Sequence, residues 1–406
     1  MRILLIHKRH FLAGGAERAY LEMADVLMRA GHEVAFFSMK HPKNHPTPWE
    51  KYFVDTVDYQ DSSMNFLEKI RTVGKILWNR QAEKNMERII LDFKPDIAHV
   101  HNIFHQISPS IFRPLKKAHV PVVMTLHDYK LISPNYYLFV RGRIWDPKRG
   151  SLWKCVRDRC VKDSIWKSLV CAIEGLFHRS IRAYDSIQAF FSPSHFLVEK
   201  FREYQFSKEV QYLPNPLVPF PDDLSFLPLS DEAPFVFIGR LSPEKGVDTI
   251  LRAVSLSRDI AKVRIVGDGP EMESLQRLAR DLGVEPRVEF SGYLSGEVLE
   301  EARKNARAII ITSLWYENMP YALTEALGAG KVVIASRIGG ISERIQDSKN
   351  GFLFHPGDEK ELAEKMQLAS RVDSAKIGGL ARASISGLRE EKFLEELLAV
   401  YRQLVP

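Results

Sequence analysis

Short apolar runs recur along this chain, separated by longer stretches whose apolar positions return every three or four residues. Over residues 234–356 the runs fall at 235–238, 263–266, 288–290, 308–311, 331–335 and 351–354. Each reads as a strand, and the stretches between most of them read as amphipathic helices. This alternation predicts an α/β unit with a parallel, doubly wound sheet. The first half repeats the rhythm less regularly, with runs at 3–6, 34–37, 97–100, 120–126 and 187–191. Residues 66–92 read as mostly helical, whereas 42–95 as a whole and 129–182 are long and irregular. Leu213-Pro-Asn-Pro-Leu-Val-Pro-Phe-Pro221 is the best candidate for a linker, because proline ends regular structure. Residues 389–405 form a helix with one apolar stripe.

A length of 406 residues fits two domains of about 200. No run of eighteen apolar residues marks a spanning helix. The first six residues are too short for a signal peptide and read as a strand. Three cysteines, Cys155, Cys160 and Cys171, fit a reducing compartment. These points lead us to expect a cytoplasmic chain. The net charge of +6 is unevenly placed: residues 141–182 hold eleven Lys/Arg against four Asp/Glu, together with Trp145, Trp153 and Trp166. Such a segment suits an anionic membrane face or anionic acceptor and equally a solvated basic face. No nucleic-acid motif accompanies the charge, so no nucleic-acid partner is expected.

Glu317-Asn-Met-Pro-Tyr-Ala-Leu-Thr-Glu325 carries the most specific chemistry. Asn318, Met319 and Pro320 stand at an expected helix start, where unpaired N–H groups attract anions. Glu317 flanks that start and can accept from hydroxyls. Glu325 lies inside the helix and can bind a diol such as a ribose. A sugar nucleotide is likewise a diphosphate flanked by two polyols. Taken alone, the spacing also fits an ordinary helix with a solvated glutamate at each end. Ligands of doubly wound sheets bind beyond the carboxyl ends of strands. Gly239-Arg240 and Lys245 follow one expected strand there, and Gly267-Asp-Gly269-Pro follows the next. Arg240 and Lys245 can offset charge on a departing diphosphate. Gly14-Gly15, after the first strand, allow close backbone approach before a helix start. The fingerprint Gly-x-Gly-x-x-Gly is missing from that loop, against a nicotinamide dehydrogenase. His127 closes a strongly apolar strand. His99, His101 and His105 form a loose cluster that could ligate a metal, and Cys155/Cys160 make a weak zinc case. No Asp-x-Asp occurs.

In this order, Gly-Arg240-Leu-x-x-Glu-Lys245-Gly, Gly-Asp-Gly-Pro and Glu317-x7-Glu325 resemble the motifs of family 4 glycosyltransferases. The resemblance is strongest over residues 234–357. It implies the GT-B fold, two Rossmann-like doubly wound domains facing a central cleft. The expected parts are an acceptor-binding domain over 1–212 with a basic insert at about 129–182, a linker at 213–233, and a nucleotide-sugar domain over 234–387. A final helix over 388–406 crosses back to the first domain. The resemblance implies a retaining transfer of a hexose-type sugar from a nucleoside diphosphate sugar to a glycan or lipid-linked acceptor. Such enzymes generally need no metal, so no cofactor is expected, and bacterial polysaccharide or lipopolysaccharide synthesis is their commonest setting. In catalysis it assigns the diphosphate to Arg240 and Lys245 and the sugar to Glu317 and His127. In donor binding it assigns the ribose to Glu325, the phosphate to Gly14 and Gly15, and further contacts to Gly239, Gly269, Asn318, Met319 and Pro320. A peripheral position at the inner face of the plasma membrane is a further expectation. A sugar-nucleotide epimerase and a non-catalytic sugar-nucleotide or membrane-binding module stay open as alternatives.

Overall fold

The computed structural model describes residues 1–57, 65–148, 151–220, 232–257, 260 and 262–405. Of the proline-rich segment and the linker expected over 213–233, residues 221–231 lie outside the described residues. The chain divides into two units: Met1–Val140 with Asp146–Pro216 and Glu390–Pro406, and Arg141–Trp145 with Leu217–Arg389.

The first unit contains β1 (Arg2–Ile6), α1 (Gly15–Arg29), β2 (Glu33–Phe37), α2 (Phe66–Leu77), α3 (Arg80–Phe93), β3 (Ile97–Val100), α4 (Phe112–Lys117), β4 (Val122–Thr125) and the two-residue β5 (Phe139–Val140). The second unit contributes β6 (Arg143–Ile144), after which the first resumes with α5 (Ser151–Arg157), α6 (Ile165–Ser180), β7 (Ala189–Ser192), α7 (His195–Glu203) and β8 (Val210–Tyr212). Its six-stranded sheet is parallel, in the order β2-β1-β3-β4-β7-β8. The inner strands are mostly apolar, with one polar residue each (Arg2, His99, Thr125 and Ser192), and all their residues but Arg2 are buried, as covering of both sheet faces requires.

The second unit continues with β9 (Phe235–Ile238), α8 (Val247–Leu256), β10 (Val263–Val266), α9 (Met272–Asp281), β11 (Val288–Gly292), α10 (Gly296–Lys304), β12 (Ala308–Ile311), α11 (Tyr321–Gly328), β13 (Val333–Ser336), β14 (Phe352–Phe354), α12 (Glu359–Ala369) and α13 (Ser374–Ala383). Its sheet is also parallel and six-stranded, ordered β11-β10-β9-β12-β13-β14. One face packs Phe235, Phe237, Ile250 and Ile310 into a core, and the other packs Val236, Ile309, Leu323 and Ile341. The last helix, α14 (Glu390–Leu404), belongs to the first unit, where Tyr401 is fully buried.

Several expectations are corrected. The helical stretch 66–92 is two helices, because Asn79 caps the second by accepting the N–H groups of Gln81 and Ala82 at 3.1 Å each. The strand expected at 120–126 starts at Val122, since Pro121 has no N–H to donate. The strand expected at 331–335 starts at Val333, because the Lys331 N–H bonds Ala326 and closes α11. The first domain does not hold all of 1–212: residues 141–145 join the second unit, where Ile144 packs on the core face holding Val236. Trp145 therefore leaves the basic insert.

Candidate active site

In the second sheet the chain runs outward from β9 to β10 and β11, then returns to β12 on the other side of β9. The switch point lies between β9 and β12, where such sheets bind ligands beyond the strand ends. Gly239 and Arg240 leave β9 there, and Thr312 to Glu317 leave β12. The two loops are tied together. Thr312 Oγ1 donates to the Lys245 carbonyl at 2.8 Å, and the Leu314 N–H donates to the Glu244 carbonyl at 2.8 Å. This fixes the 3-10 turn Pro243–Lys245 and brings Lys245 Nζ to 2.5 Å from Glu317 Oε1. Ser313 Oγ donates to the same oxygen at 2.7 Å. Glu317 is buried. Burial pushes its carboxyl up, but the Lys245 charge and the hydrogen bonds from Lys245, Ser313 and Trp315 outweigh that and hold it below the usual carboxylate range. Arg240, five positions before Lys245, is exposed.

The glycines keep the loops close. The Gly239 N–H donates to the Val266 carbonyl at 3.0 Å, and the Leu241 N–H to the Asp268 carbonyl at 3.0 Å. A Cβ on Gly269 would overlap the Leu241 carbonyl, so this approach requires glycine. Gly339, with φ +55°, is the residue the sequence reading missed: a Cβ there would overlap the Glu317 carbonyl, and the next N–H, of Gly340, donates to that carbonyl at 2.8 Å.

Pro320 is the N-cap of α11 rather than its first helical residue, with extended ψ 128°. The helix therefore starts three residues after Asn318, and Met319 packs on the core face holding Leu323. Glu325, one turn in, accepts from Arg303 Nη2 at 2.7 Å. Arg303, on α10, is 5% exposed and also bonds Glu300 at 2.5 Å. Arg303 lies twenty-two positions from Glu325, and no motif marked it.

The candidates of the first unit follow β1 and β4, the strands on either side of β3. Gly14 caps α1, which begins at Gly15. The buried Glu17 on that helix pairs with Arg9 at 3.3 Å. His127 Nε2 lies 2.8 Å from His101 Nδ1, and the rings stack with centroids 5.1 Å apart. His101 stacks in turn on His99 at 4.8 Å. Burial, then the charge of Lys8, pushes His127 down to about 4, so it is neutral at pH 7. His101 and His7 are held well below 6.5, also chiefly by burial. Two neutral imidazoles share one proton across the 2.8 Å contact, so one ring donates and the other accepts.

His99, His101 and His105 do not form a metal trio. His99 bonds Tyr401 and Thr125 at 2.5 and 2.7 Å, while His101 bonds His127. His105 instead joins Cys171 and Glu174, with ligand atoms within 4.8 Å of one another. The Lys130 ammonium, 2.7 Å from Glu174, pairs with that carboxylate. Cys155 and Cys160 are joined by a disulfide, against the zinc case and the reducing compartment that the cysteines suggested; their Cα atoms lie 4.8 Å apart across one helix end.

Residues 13–218, half of the chain, match the Glycosyltransferase Family 4 profile, and residues 225–374 match Glycosyl transferases group 1. An uncharacterized 42.6 kDa protein in the cps region of Klebsiella pneumoniae is 28% identical over 360 residues, 84% of this chain and 87% of that protein. The lipopolysaccharide 1,6-galactosyltransferase of Escherichia coli is 30% identical over 142 residues, 33% of this chain and 39% of the relative. Among solved structures, sucrose-phosphate synthase from Thermosynechococcus elongatus superposes with a TM-score of 0.71 at 18% identity, covering 99% of this chain and 98% of the other. Anabaena HepE in complex with UDP-glucose gives 0.65 at 17% identity, covering 99% and 100%. Two parallel six-stranded sheets, these structural neighbours and a family match over half its length establish that the chain has the GT-B fold and belongs to glycosyltransferase family 4.

Proposed function

We propose that this glycosyltransferase moves a hexose-type sugar, with retention, from a nucleoside diphosphate sugar to a glycan or lipid-linked acceptor. The observation that carries the reading is the Lys245–Glu317 contact at the second unit's switch point, followed at once by a helix start. A cation beside a carboxylate that stands four residues before a helix start suits a phosphate joined to a sugar. Anabaena HepE, which shares the fold, was solved with UDP-glucose, and this favours a sugar nucleotide as donor.

In this reading Arg240 and Lys245 hold the diphosphate, Glu325 accepts from the ribose, and Glu317 with residues 318–320 holds the sugar. The anomeric carbon–oxygen bond breaks with its electron pair passing to the phosphate. The acceptor hydroxyl bonds the same face, and its proton passes to the departing phosphate oxygen. Arg240 and Lys245 offset the charge that builds there. With no Asp-x-Asp to hold a divalent ion, we assign this role to the two cations alone. A lipid-linked acceptor would be met at a membrane face; among the described residues no helix is long and apolar enough to cross one.

A thermal-shift screen with UDP-, GDP- and dTDP-sugars tests the reading. A true donor at a hundred times its Kd stabilises by about 2.7 kcal/mol. No shift with any of them, alongside no transfer, would remove the donor assignment.

A further inference from the structure

Helix α6 is built inside out. At about 100° per residue, Ser168, Cys171, Glu174 and His178 fall on one side and are buried. Ile165, Trp166, Ile173 and Leu176 fall on the other and are 50%, 73%, 43% and 51% exposed. A surface helix of a soluble protein turns its apolar stripe inward. Here the inner side is committed to polar partners. Glu174 accepts from Lys130 at 2.7 Å, His178 Nε2 meets the Leu77 carbonyl at 2.9 Å, and Ser168 Oγ accepts the Val161 N–H at 3.0 Å. Rotating the helix would bury the stripe only by breaking all three. On α5, which packs against α6, Trp153 is 71% exposed.

The surroundings are basic. Residues 151–182 carry seven Lys/Arg against three Asp/Glu, and of the three Glu174 is buried. Arg157 and Arg182, though ion-paired with Asp158 and Asp185, have side chains 73% and 82% exposed. We propose that the outer face of α6, with Trp153 of α5, docks on an anionic membrane surface. A second copy of the chain fits less well, because a twofold interface sets each basic surplus against its twin. An anionic bilayer accepts the apolar stripe and is attracted by the cations around it, and tryptophan favours that interface. The surface deepens the reading of a lipid-linked acceptor and rests on that reading only for its purpose, since none of its residues belongs to the donor site.

The test is sedimentation of the full chain with phosphatidylcholine vesicles, with and without phosphatidylglycerol, at low and high salt. Phosphatidylglycerol should strengthen binding by at least about tenfold, because several basic residues act together, and salt should weaken it. Trp166→Ser with Leu176→Ser should weaken it by a similar factor while leaving the thermal melt and transfer to a soluble acceptor unchanged, both residues being exposed. Equal binding to both vesicles, or none to either, overturns the proposal. So does a wild-type dimer, seen by sedimentation velocity, that the double variant dissociates. Because no donor is present, failure of the sugar-transfer reading leaves the vesicle result unaffected.

Discussion

Lys245 Nζ and Glu317 Oε1 stand 2.5 Å apart although seventy-two positions separate them in the chain. Each neutralises the other. A diphosphate would draw the lysine toward its oxygens, leaving the glutamate to a sugar hydroxyl. Lys245→Ala strands a buried carboxylate and should cost about 2 kcal/mol of stability. Lys245→Met with Glu317→Gln should recover most of that stability and none of the transfer. Urea unfolding and a transfer assay on both variants separate the two effects. A double variant with wild-type activity would remove the pair from the site.

Arg240→Ala and Glu325→Gln should each lower kcat/KM by roughly 10- to 150-fold, the equivalent of a charged hydrogen bond worth about 1.5–3 kcal/mol. Arg240 is exposed, so its variant should melt like wild type. Near-normal transfer by both variants at saturating acceptor would contradict the assignment.

Gly339→Ala should damage activity from outside the motif. Its φ is +55°, and the added Cβ meets the Glu317 carbonyl. Either that loop shifts or the backbone strains, at a cost of about 1–3 kcal/mol. The expected result is a lower Tm together with a raised KM for donor. An unchanged melt and KM would mean that the Glu317 loop has slack.

Stability should fall as pH drops from about 6.5 toward 4. Burial, the first cause in each, holds His10 and His127 at about 4 and His99 at about 3, with neighbouring His45, Lys8 and His127 respectively adding to it. In the unfolded chain these rings take up protons near 6.5, so there the unfolded state binds more protons and gains as pH falls. Each ring contributes a slope of up to about 1.4 kcal/mol per pH unit inside its window. Urea midpoints measured from pH 7.5 to 4.5 read this directly, and a flat profile would mean that the column of histidines is open to solvent.

Transfer should survive excess EDTA, since two cations take the place of a metal on the diphosphate. Loss of activity on chelation, restored by Mg²⁺ or Mn²⁺, would show a metal role instead.

The sequence by itself determined the two doubly wound sheets, because strands buried on both faces must be largely apolar and the helices between them must return an apolar stripe every three or four residues. Residues near each other along one loop were equally legible: Arg240 with Lys245, Glu317 with Glu325, Gly14 with the start of α1. Only the tertiary structure decided the partners that come from other strands. Gly339 beside Glu317 and His101 on His127 meet because parallel strands deliver their carboxyl ends to one edge, whatever the distance along the chain, and Arg303 reaches Glu325 from helix α10. The reversal of α6 was hidden for the same reason. Its periodicity shows that one side is apolar, but which side faces the protein depends on Lys130, Leu77 and Val161, which lie outside the helix.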